Sequence, residues 1–244
     1  MRWRRISFLV LNLALIGLMI KAGFWQLDRA TQKQAILDRG AQTQALADTD
    51  ALWQQSAEEL SLKTVQLIGE LDVSKIWLLD NKVHQGEVGY EVLLALTPSD
   101  SEKRDKRILV NLGWVSGLGD RQRWPDLSRL EAWQGTVAVA GLLHQPNLGF
   151  QLGDEPLSDT WPQRLQGLDM DKLAVFYQQQ GWSLSPAVLR VGPDQDIGFV
   201  KEWPLITMTP AKHIGYAWQW FLMALVSTGL FFWFYQRGGL YEKK

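Results

Sequence analysis

Residues 6–27 read ISFLVLNLALIGLMIKAGFWQL, and this stretch decides the fold class. Apart from Asn12, Lys21 and Gln26 it is almost wholly apolar. At a rise of about 1.5 Å per helical residue it is long enough to cross the ~30 Å hydrocarbon layer of a bilayer. Residues 216–235, YAWQWFLMALVSTGLFFWFY, form a second such stretch without any charge. Gln219, Ser227 and Thr228 are its clearly polar members, and Trp218, Trp220, Trp233 and Tyr235 stand near its ends, where aromatic belts form. The whole-chain averages conceal this: 46% hydrophobic, 21% charged and a net charge of -1 over 244 residues describe an ordinary soluble protein.

Lys and Arg concentrate on the cytoplasmic side of short loops. Arg2, Arg4 and Arg5 precede the first stretch, and Arg237, Lys243 and Lys244 follow the second with only Glu242 opposing them. Both termini are therefore expected in the cytoplasm. The expected organisation is a cytoplasmic N-terminus and first transmembrane helix over 1–27, an extracytoplasmic domain over 28–212, a second transmembrane helix over 213–236 and a basic cytoplasmic tail over 237–244. The rival reading is a cleaved signal peptide, and Arg4-Arg5 followed by apolar residues even has a twin-arginine character. Ile20 to Trp25, however, lacks the small-x-small pattern that cleavage needs.

The chain has no cysteine. That excludes a disulfide framework, a thiolate zinc site, a thioredoxin-like pair and covalent c-type haem attachment. Five scattered methionines make no thioether cluster of the kind that selects Cu(I). Residues 28–55, rich in Ala, Gln, Leu and Asp, favour a helix that continues from the membrane and ends near Gly40 or restarts beyond it. Short β-like segments follow at 64–71, 75–79, 90–96, 107–115, 136–143 and 187–191. They are bounded by turn formers such as Asp80-Asn81, Thr97-Pro98-Ser99 and Gln145-Pro146-Asn147. Residues 169–180 have helical spacing, with Asp169 or Asp171 as cap and Gly181 as stop. The expected fold is an α+β membrane protein: two transmembrane helices flanking a mainly antiparallel β-sheet or barrel with one or two helices. The charged run 99–107 reads as a solvated hairpin loop.

No nucleophile elbow, zinc-protease motif, Walker loop or dinucleotide fingerprint is present, so no enzymatic activity is expected. Of the three histidines, His84 and His144 read as exposed residues at a turn and a strand end. His213 stands where the chain enters the second apolar stretch, with Tyr216, Ala217 and Trp220 on the same helical face and Gln219 nearby. At the outer end of the first stretch, Trp25, Arg29 and Lys33 share a stripe with Gln26 beside it. Topology puts both clusters at one depth, where they make either a shared polar cleft or interfacial anchors meeting lipid headgroups.

These residues also carry a resemblance. Gly23-Phe24-Trp25-Gln26-Leu27-Asp28-Arg29 with Lys33, then Leu79-Asp80-Asn81, Gly86 and Gly89-Tyr90, then Leu109 to Val115, and finally His213 to Phe221 occur in the order found in the Surfeit locus protein 1 family. The chain resembles that family over nearly its whole length. The resemblance implies a non-enzymatic assembly factor of haem-copper cytochrome c oxidase, located in a bacterial inner membrane with its main domain in the periplasm. Such a factor assists haem a insertion into the catalytic subunit beside other assembly factors, in contact with the lipid bilayer and not with nucleic acid. It also implies a transient haem a site with His213 as iron ligand; the shared cleft would then set Trp25, Gln26, Arg29, Tyr216, Gln219 and Trp220 around it. Arg29 would then face the propionates. Family members commonly carry Arg after the Asn of the Val-Asn-x-Gly-Trp segment, where this chain has Leu112. The alternative is a haem-free scaffold that stabilises the nascent subunit. A sensor would need a cytoplasmic output, for which the residues after Tyr235 are too few.

Overall fold

The computed structural model describes residues 2–119, 122–146, 148, 157–158 and 160–240. Along the chain lie α1 (Arg2–Ala41), β1 (Gln44–Ala45), α2 (Ala51–Gln54), α3 (Ala57–Leu60), β2 (Lys63–Leu71), β3 (Trp77–His84), β4 (Glu87–Pro98), β5 (Lys106–Ser116), β6 (Thr136–His144), β7 (Gln163–Leu165), α4 (Met170–Gln178), β8 (Ser183–Val191) and α5 (Pro210–Leu240). Two compact units result, one of Met1–Gln42 with Pro204–Lys244 and one of Thr43–Trp203.

The first unit is α1 packed on α5. Helix α1 contains no proline and runs unbroken from the apolar stretch through the more polar Asp28–Ala41. Pro210 opens α5 at a position where a missing N–H costs nothing. Only 6% and 11% of the apolar windows of the two helices are buried inside the protein, so they are not the core helices of a soluble fold. Leu11 and Leu225, each 69% exposed, point away from the partner helix. Surfaces of this kind are stable in hydrocarbon and not in water, which makes this a membrane-anchored protein.

The second unit is a closed mixed β-barrel with short helices. Strand β2 pairs with β6 along most of its length and with β4 through Gly69–Leu71, which closes the ring β2–β6–β8–β5–β4. A ring of five strands cannot alternate in direction all the way round, so at least one neighbouring pair must be parallel. That pair is β5–β8, while the other four contacts of the ring are antiparallel. Strands β3 and β7 extend the sheet beyond β4.

Two apolar layers follow from the two-residue side-chain period. Val92, Leu94, Val110, Leu112, Leu189 and Val191 fill the barrel interior. The alternate residues Leu93, Leu109 and Val188 face outward and are covered by Leu173 and Tyr177 of α4, with Trp77 beside them. Trp77 Nε1 donates to the Tyr177 hydroxyl at 3.0 Å, and burial pushes that phenol up to about 12. Strands buried on both faces lose their alternation, which is why 90–96 and 107–115 read as continuous apolar runs.

The structure corrects three local expectations. Asp80-Asn81 is not a turn but a bulge within β3, with Asn81 at φ 57°; the hairpin turn is Gln85-Gly86, both at positive φ. His84 is not an exposed turn residue, because its ring lies 5.0 Å from that of Trp114 and its Nδ1 is 3.5 Å from Glu202. His144, at the end of β6, is half-buried, and burial together with Arg190 and Lys82 pushes its imidazole down to about 4.

Candidate functional site

The site is assembled on the seam between α1 and α5. Met19, Gly23, Gln26 and Ala30 follow one another at the four-three-four spacing of an interhelical stripe, and His213, Ala217, Trp220, Ala224 and Ser227 do the same on α5. Contacts fix an antiparallel pairing. Gln26 meets His213, Gly23 meets Phe221, and Ser227 Oγ lies 3.9 Å from Met19 Sδ. Ala30, Ala217 and Ala224 are buried, as expected where small residues let helix backbones approach. A Cβ on Gly23 would run into the Phe221 ring, so this position accepts no side chain without moving that ring.

His213 is 8% exposed. Its Nδ1 lies 2.7 Å from Gln26 Oε1. An amide oxygen only accepts, so Nδ1 carries the hydrogen, and in the uncharged ring the lone pair is at Nε2. Nε2 is shut off from water and has no hydrogen-bond partner. The arrangement is that of a metal-binding imidazole whose second nitrogen is oriented by a carbonyl, with one electron pair uncommitted.

The remaining expected site residues are placed differently from one another. Trp220 is half-buried on the seam, while Tyr216 and Gln219 are exposed. Trp25 and Arg29 lie on the exposed flank of α1, where the guanidinium sits 5.6 Å from the Trp25 ring centre and donates to Gln32 Oε1 at 3.0 Å. Gln26 and His213 are thus joined directly, and Arg29 is three residues along the helix from Gln26. The sequence reading named Gly23 and Ala217 without a part in helix packing and left out Ala30 and Ala224; the heptad-like spacing of these four was the available signal for the seam.

The family model described as the SURF1 family matches residues 13–225, which take in most of α1, the whole of the barrel sequence and the first half of α5. The chain belongs to the SURF1 family. Members of this family are known as cytochrome oxidase assembly factors, a non-catalytic class. No curated protein matches the chain. Imidazole is one of the side chains that can ligate a haem iron, and the orphaned Nε2 of His213 is the atom that could do so here. Among the described residues there is no group of three His, Asp or Glu that could hold a bare metal ion.

Proposed function

We propose that this SURF1 protein assists insertion of haem a into the catalytic subunit of cytochrome c oxidase, holding the haem transiently through His213. The observation that carries the reading is the pairing at His213: Nδ1 fixed by Gln26 at 2.7 Å and Nε2 buried without a partner. His213 would hold the haem through Nε2, and a bound haem would supply an iron able to take an imidazole. Gln26 holds the ring in the tautomer that keeps the lone pair at Nε2, and the aromatic and apolar residues of the seam keep water away from it. Arg29, exposed and stacked on Trp25, offers a cation to a carboxylate at the helix flank. A single ligand on a two-helix seam suits a carrier, which must also release what it holds.

The proposed setting is a bacterial inner membrane, with both termini cytoplasmic, the barrel in the periplasm, and the oxidase subunit and other assembly factors as partners. The same His213–Gln26 bond also favours a second reading, since polar side chains hydrogen-bond across membrane helices as glue. In that reading the protein is a haem-free scaffold for the nascent subunit. The two separate on the optical spectrum of the full chain purified from cells with and without haem A synthesis. Haem a insertion predicts a haem signal only where haem A is made and its loss in His213→Ala. A haem-free spectrum under both conditions leaves the scaffold.

A further inference from the structure

On the outer face of the barrel, the apolar layer under α4 gives way to a polar row within one side-chain step on three adjacent strands. Glu91 follows Leu93 on β4, Asn111 follows Leu109 on β5, and Arg190 follows Val188 on β8, each two residues away and so on the same face. Asn111 and Arg190 are direct partners across β5–β8. Together with Lys82 and His144 these side chains line a cleft of about 130 Å³, which Leu79, Leu168 and Val188 also line. At about 30 Å³ for a water-sized group, it has room for roughly four such groups.

The charges in the cleft do not cancel. Asn111, 1% exposed, donates through Nδ2 to Glu91 Oε2 at 2.6 Å, and Lys82 Nζ lies 3.9 Å from Glu91 Oε1. Glu91 is thereby taken up. Arg190 is left over: its guanidinium stacks 5.2 Å from the Trp203 ring, its Nε is shut off from water with no hydrogen-bond partner, and no carboxylate among the described residues comes within 4.0 Å of it. Burial presses the guanidinium below its ordinary value, with Glu91 opposing from a distance. His144, held far below its usual range, brings no positive charge at neutral pH. Among the described residues the balance is one positive charge, and the planar donor fork of Arg190 has no acceptor there.

We infer that this cleft is a binding site for a small aliphatic carboxylate, taken by Arg190. The guanidinium fork matches a carboxylate in plane and spacing. A net charge near +1 and the presence of Glu91 favour a monoanion over a phosphate dianion, and the Leu79, Leu168 and Val188 wall accepts a short apolar body. The site is independent of the haem reading.

Acetate is the probe, titrated by calorimetry into the full chain in non-ionic detergent at pH 7.5, with chloride as the ionic-strength control and inorganic phosphate as the competitor class. The expected result is saturable acetate binding, weakened roughly tenfold or more in R190Q as a charged hydrogen-bonded partner is lost, and tightened a few-fold in E91Q, which removes the opposing charge. A structural ion-pair role for Glu91 would not produce that gain. Acetate binding that is absent, equalled by chloride, or unchanged in a folded R190Q overturns the site. Phosphate binding as tight as acetate overturns its assignment to carboxylates. If R190Q does not fold, E91Q decides: unchanged or weaker acetate binding overturns the proposal.

Discussion

At the scale of single residues, three side chains carry the account. Gln26→Leu removes the acceptor from a buried Nδ1–H, at a cost of about 1–3 kcal/mol to the helix pair, and releases the tautomer that presents Nε2. Gln26→Glu keeps an oxygen in place. The first variant should lose retained haem on purification and the second should keep it; equal haem content in both would contradict the orienting role. His144 gives a pH signature in the barrel. Its imidazole titrates at about 4 in the fold against 6.5 when unfolded. Above pH 6.5 the ring is neutral in both states and stability is complete. As pH falls from 6.5 toward 4 the unfolded chain takes up a proton that the fold refuses, so stability declines, by up to ~3 kcal/mol. Unfolding midpoints of the full chain at pH 7.5 and 5 should differ more for the wild type than for His144→Gln, and an equal decline in both would rule the cause out. Leu112, where the family commonly carries Arg, is fully buried inside the barrel. Leu112→Arg would bury an unpaired guanidinium there and should destabilise the barrel by several kcal/mol, read as a lowered thermal midpoint; an unchanged midpoint would show that the interior admits a charge.

At the scale of elements, legibility in the sequence depended on how local the cause was. The two apolar helices and the strands β2, β4, β5 and β6 were readable because burial writes its pattern directly into 6–27, 64–71, 90–96, 107–115 and 136–143. Asp80-Asn81 misled because the residues that favour turns also favour the positive φ of a bulge. The parallel pairing of β5 with β8 was not readable, since it arises from closing a five-membered ring and from nothing in either strand alone. His144 looked exposed because its surroundings come from β3 and β8, distant in sequence. The seam between α1 and α5 yields a prediction of its own. The chain has no cysteine, so Met19→Cys with Ser227→Cys introduces a single pair where the native side chains lie 3.9 Å apart. Oxidation should close an intramolecular disulfide, visible as faster migration of the non-reduced chain. Adding Gly23→Leu, which forces a side chain against the Phe221 ring, should sharply reduce its yield. Full cross-linking in the triple variant would mean the helices do not depend on that close approach.

At the scale of the whole molecule, a closed barrel and a membrane-anchored helix pair are held in one chain that a SURF1 family model matches from residue 13 to 225. The candidate site was half legible. His213 and Trp220 could be placed on one helical face, and Gln26 beside the Trp25–Arg29–Lys33 stripe at the same depth, whereas only the folded pair shows that Gln26 itself engages Nδ1 and that Trp25 and Arg29 engage each other. Membership of the family establishes the oxidase-assembly class, and the free Nε2 of His213 is the observation on which the proposed haem role rests. The most direct test is pulsed electron paramagnetic resonance on the full chain made in haem A-producing cells with 15N-labelled histidine, of which there are three. The account predicts a 15N coupling to the haem iron in the wild type, kept in His84→Ala and His144→Ala and lost in His213→Ala. A coupling that survives His213→Ala, or a haem-loaded wild type without one, would contradict it.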